Sequence, residues 1–77
     1  MNKLPTVSGK ELLKLLLKYG CVLASVKGSH FKVENPLNGM RTIIPIHGNK
    51  DINKVLVLNI LKNQLGIDVD DFIKAVL

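Results

Sequence analysis

Seventy-seven residues make one thin-cored domain, since a chain of this size buries only about 60–65% of its unfolded surface. A hydrophobic content of 47% excludes a disordered chain, and a single cysteine, Cys21, excludes an internal disulfide or a Cys-based zinc cage. The formal charge of +5 points to a polyanionic partner, nucleic acid first.

The charge is unevenly spread. Residues 1–67 hold ten Lys/Arg against three acids, because Asp68, Asp70 and Asp71 cluster near the end. The competing reading of the basic excess is solubility alone. Apolar runs of four to five residues fall far short of the ~20 needed to cross a bilayer, and no apolar signal segment opens the chain. A cytoplasmic protein without membrane contact is expected.

Residues 1–7 read as a short lead. Ser8 and Glu11 then form an S-x-x-E capping box, and Gly20 supplies a left-handed stop. Between them Leu12, Leu13, Leu16 and Leu17 share a face that Leu15 widens. Lys10, Lys14 and Lys18 lie four apart opposite, as a solvated face or a phosphate-tracking ridge. Cys21 to Lys27 reads as a strand. Gly28-Ser29 is a two-residue hairpin signal, with glycine free to take the positive φ that a type II′ turn needs at its first central position. A second strand runs from His30 to Glu34, residues 35–39 form a loop with Asn-Pro and Asn-Gly signals, and a third strand runs from Met40 to Ile46. Pro45 belongs at a strand end or on an edge.

His47 to Lys50 form the next loop. A helix over Asn53–Gln64 follows, although Val55-Leu56-Val57-Leu58 would also suit a strand. Leu61 and Leu65 continue with helical spacing, and Gly66 closes it. Asp68 caps a last helix, Val69–Val76, with Asp70 and Asp71 in its first turn and Phe72, Ile73, Val76 and Leu77 on its buried edge. The order α-β-β-β-α-α with hairpin-length connections implies an α+β fold. Its three-stranded antiparallel sheet carries the helices on one face and leaves the other free.

Strand parity then sorts the central residues. Phe31 and Val33 share the helix side, with Phe31 as the core anchor, and His30 and Lys32 are left on the open face with Lys27 across the turn. Cleavage of RNA needs a group to take the 2′-hydroxyl proton, a proton for the leaving 5′-oxygen, and cations or amides for the phosphorane charge. His30 suits the proton transfer. Lys27, Lys32 and Arg41 suit the charge, and no carboxylate cluster suited to Mg²⁺ is present. A lone exposed histidine beside lysines is also a common surface feature.

Several stretches together resemble the HicA family of toxins. They are S-G-K-E-L-L-K-L-L-L-K-Y-G at 8–20, K-G-S-H at 27–30 and I-P-I-H-G-N-K at 44–50, followed by I-L-K-N-Q-L-G-I at 60–67 and D-D-F at 70–72. The resemblance implies a fold like that of double-stranded-RNA-binding domains and metal-independent, cofactor-free endoribonuclease activity on mRNA that blocks translation. It also implies neutralisation by a HicB antitoxin covering the active face. It puts the catalytic histidine at His30, with Gly28 and Ser29 forming the turn and touching phosphate. Lys27, Lys32, Arg41 and Lys50 are candidate RNA contacts, and His47 is a candidate second acid/base group against the plainer reading of a loop residue. Phe31 stands where many members carry a second histidine. Leu56 and Val57, counted back from Gly66, stand where many open the second long helix with Gly-Thr, with a lead-in one residue longer. A catalytically inactive RNA-binding module of the same fold is the alternative, since double-stranded RNA can be bound by shape and backbone alone. A protein-interaction domain is a third.

Overall fold

A computed structural model describes residues 4–77, so the first three residues of the expected lead lie outside it. The capping box forms at the start of helix α1 (Gly9–Tyr19). The Glu11 amide donates to Ser8 Oγ at 3.2 Å, and the Ser8 amide donates to Glu11 Oε1 at 3.0 Å. The backbone hydrogen bond from Ser8, then its hydroxyl, hold the Glu11 carboxyl below its ordinary range. Leu12 and Leu16 are fully buried, Leu13 and Leu15 half-buried, and Leu17 is exposed, so the apolar face is narrower than the spacing suggests.

The rest of the lead belongs to the core. Leu4 and Val7 are buried, and Val7 O accepts from the Ile52 amide at 2.8 Å. Gly9 is where backbone meets backbone. A Cβ there would lie 2.6 Å from Pro45 O and 3.1 Å from Ile46 Cγ1, so only glycine lets the helix start this close to the end of the sheet.

Strands β1 (Val22–Lys27), β2 (His30–Asn35) and β3 (Met40–Pro45) form an antiparallel meander in the order β1-β2-β3. Pro45 ends β3, an edge strand, as its missing donor requires. In β1 the register shifts between Leu23 and Ser25, leaving Ala24 as the extra residue of a bulge. The bulge explains how Leu23 and Val26, three apart, both face the helices, while Ser25 and Lys27 face away. Inward-pointing Val33, Asn35, Thr42 and Ile44 are buried under the helical layer.

Helix α2 (Lys54–Asn59) is capped by Asn53, whose Oδ1 accepts from the Val55 amide at 2.7 Å. It continues into a π-helical turn, Ile60–Gln64, closed by the Leu65 amide donating to Ile60 O at 2.9 Å. The helix expected over Asn53–Gln64 is therefore present, with a change of pitch inside it. The change keeps Val57, Ile60, Leu61 and Leu65 all in the core. It also places Gln64 on Thr42 of β3, whose hydroxyl donates to Gln64 Oε1. Helix α3 (Val69–Val76) is capped as expected, with Asp68 Oδ1 accepting from the Asp71 amide at 3.0 Å. Phe72 and Val76 are buried, and the Phe72 ring lies 5.3 Å from that of Tyr19, tilted. Leu77 is exposed at the chain end rather than part of that edge. Cys21, just before β1, is buried, and desolvation pushes its thiol up.

Candidate nucleic-acid interface

The Gly28-Ser29 turn joins two residues that pair directly, Lys27 and His30. Gly28 has φ of +60°, and among the described residues no non-glycine has a positive φ. Only the first central position is therefore left-handed, which matches type II′ and not type I′. Ser29 O accepts from the Ile46 amide at 2.9 Å, tying the turn to the end of β3. His30 thus begins the central strand, fixed from both sides.

The register builds two adjacent rows across the open face. One holds Lys27, His30 and Pro45; the other holds Ser25, Lys32 and Ile43. Ser25, Lys27, His30, Lys32 and Ile43 together line a hollow of about 420 Å³. An imidazole and two ammonium groups therefore meet in one concavity, and both His30 and Lys27 are exposed to an incoming strand. Ile43, 51% exposed, supplies an apolar floor beside them.

The other expected contacts are distributed differently. Arg41 pairs with Glu34, its Nε donating to Oε1 at 2.8 Å. Glu34 is four residues along β2 from His30, or about 13 Å, so Arg41 does not line this hollow. His47 and Lys50 line a second hollow of about 200 Å³ with Asn53 and Leu56. Pro45 links the two, since it pairs with His30 and also lines the second.

One expectation changes here. Phe31 does face the helix side, but it is half-buried and stands outside the core cluster; Val33 and Ile44, fully buried, anchor the sheet instead. Phe31 lies in an open groove beside Leu13 and Leu17 of α1. Of the two residues expected at the Gly-Thr positions, Leu56 is 38% exposed and Val57 is buried.

Ser25 and Ile43 line the same hollow, although the sequence reading does not single them out. Ser25 was open to detection, lying two residues before Lys27 on the same strand. Ile43 was not, because its place beside Lys32 depends on the pairing across the 36–39 loop. Among the described residues no three His, Cys, Asp or Glu side chains are grouped as metal ligands. No described helix is long and apolar enough to cross a membrane.

The family model described as "HicA toxin of bacterial toxin-antitoxin" matches residues 9–67, from the first residue of α1 to the residue after Gly66. The chain belongs to the HicA toxin family. A relative from Pseudomonas fluorescens (strain Pf0-1), named "Probable mRNA interferase HicA", is 42% identical over 57 residues, covering 74% of this chain and 90% of the relative. No solved structure matches significantly. Both hollows of this HicA-family chain lie within the matched stretch, and α3 lies beyond it.

Proposed function

We propose that this chain is the toxin of a type II toxin–antitoxin pair and cleaves mRNA without a metal ion, with His30 as the catalytic group. The name of the Pseudomonas relative supports the substrate class. The single observation that carries the residue assignment is the meeting of His30 with Lys27 and Lys32 in one exposed hollow. An RNA strand laid across the open face presents a phosphodiester to that hollow. His30 takes the 2′-hydroxyl proton as the 2′-oxygen attacks phosphorus, and the bond to the 5′-oxygen breaks, leaving a 2′,3′-cyclic phosphate and a 5′-hydroxyl end. The departing oxygen takes up a proton, for which His47, beyond Pro45, is the candidate donor.

Lys27 and Lys32 stabilise the charge of the phosphorane, and Ser29 with the Gly28 turn lets the backbone approach phosphate. Lys50 in the second hollow takes a neighbouring phosphate, and Arg41 one nearer the far end of the sheet. Loss of mRNA stops translation in the cytoplasm. A HicB-type antitoxin neutralises the chain by covering the open face.

Leu56 and Val57, apolar where the resemblance puts Gly-Thr, favour the second reading, an inactive RNA-binding module, because an apolar helix start offers no hydroxyl to an anion. Expression in a bacterial host separates the two. Wild type arrests growth and His30→Ala, folded to the same melting temperature, does not. Equal arrest by both removes His30 from the chemistry, and no arrest by either supports the binding module.

A further inference from the structure

On the helix side, opposite the hollow of His30, α1 and the sheet leave a groove of about 450 Å³. Leu13, Leu17, Phe31 and Ile46 form its walls, and Lys10 and Lys14 stand on its rim. No carboxylate lines it. Leu17 is 41% exposed and Phe31 half-exposed. Val26, paired with Phe31 on β1 and 51% exposed, carries the apolar surface to the sheet edge. A continuous apolar surface drawn from two strands and a helix marks a docking site more than a scatter of surface leucines does.

The chemistry distinguishes its occupant. RNA would satisfy the two lysines and leave the aliphatic walls against sugar and phosphate. A polypeptide satisfies both, with bulky apolar side chains on the walls and carboxylates on the rim. Resting on the toxin reading above, we propose that this groove anchors the cognate antitoxin through an acidic amphipathic segment. Its apolar residues fill the space between Leu17 and Phe31, and its carboxylates pair with Lys10 and Lys14. The anchor lies on the opposite side of the sheet from His30. The antitoxin therefore has a hold on the toxin that RNA on the open face does not contest.

The test uses the full chain and its cognate antitoxin, with growth and affinity as readouts. Two variants are compared with wild type: Lys10→Glu/Lys14→Glu and Leu17→Asp, all three positions exposed, so that the fold is retained and checked by thermal melting. Each variant alone is expected to arrest growth as wild type does. Each is expected to escape the antitoxin, with Kd raised about tenfold or more and, for the double variant, a flatter dependence on salt. Unchanged affinity and full rescue overturn the groove while leaving the toxin reading intact. Loss of arrest by the charge-reversed variant without antitoxin makes the lysines RNA contacts and also overturns it. If wild type neither arrests growth nor binds the antitoxin, the toxin reading itself falls and takes the groove with it.

Discussion

Gly28→Ala tests how the histidine is held. At φ of +60° an L-residue pays about 1–3 kcal/mol of backbone strain. No atom lies within 4 Å of the added Cβ, so strain is the whole cost and no clash contributes. Alanine also narrows the unfolded ensemble, which returns about 0.4–1 kcal/mol. The net loss is about 1–2 kcal/mol, a fall in melting temperature of about 5–15 °C for a chain of this length. A D-alanine at the same position, accessible by chemical synthesis of a 77-residue chain, prefers positive φ. It keeps the entropic gain without the strain, and should raise the melting temperature by about 2–8 °C. Circular dichroism melting of the three proteins, with RNA cleavage measured well below every midpoint, reads both effects. L-alanine should lower cleavage at a temperature where the chain is still folded, because the turn sets the position of His30, and D-alanine should preserve it. If the L and D variants melt together, the turn is not built on a left-handed Gly28 and the reasoning fails.

Four further outcomes follow from the same geometry. Gly9→Ala should destabilise the chain by about 1–3 kcal/mol, seen as a lower urea midpoint, because Pro45 O blocks the new methyl group. A wild-type midpoint there would mean that α1 and the end of the sheet separate freely. The Glu11 carboxyl is held below its ordinary range, so its contribution is full above the unfolded value and is lost as pH falls through the lowered folded one. The melting difference between wild type and Glu11→Ala should therefore be steady near neutral pH and shrink in acid; a difference independent of pH would contradict the cap. Lys32→Ala should slow cleavage at least about tenfold, by P–O bond kinetics on a defined RNA, as expected for loss of one charge in a preorganised site. Arg41→Ala, outside the hollow and paired with Glu34 at the surface, should change stability by less than about 1 kcal/mol and cleavage far less than Lys32→Ala does.

Where local chemistry decides structure, the sequence is explicit. Ser8 and Glu11, Gly28-Ser29 and Asp68 each act within three residues, and each motif forms as its spacing predicts. Strand parity likewise places His30, Lys27 and Lys32 on one face, because β2 has no bulge. What depends on packing between distant segments is not legible. Phe31 has the right parity for the core, yet it stays half-buried in the groove between α1 and the sheet. Val7 looks like part of a lead because the segment it bonds to, at Ile52, is more than forty residues away. The bulge at Ala24 and the π turn at Ile60–Gln64 each accommodate an extra residue that periodicity alone reads as continuous. Ile43 becomes part of the site only through its pairing with Lys32.

The central claim is that His30, held between Lys27 and Lys32, cleaves RNA without a metal. The most direct measurement incubates purified wild type and His30→Ala with a long mRNA in EDTA and examines the ends produced. Wild type should give discrete fragments ending in 2′,3′-cyclic phosphate and His30→Ala intact RNA, both proteins binding the strand with similar affinity. Intact RNA with both proteins, or the same fragments from both, would contradict it.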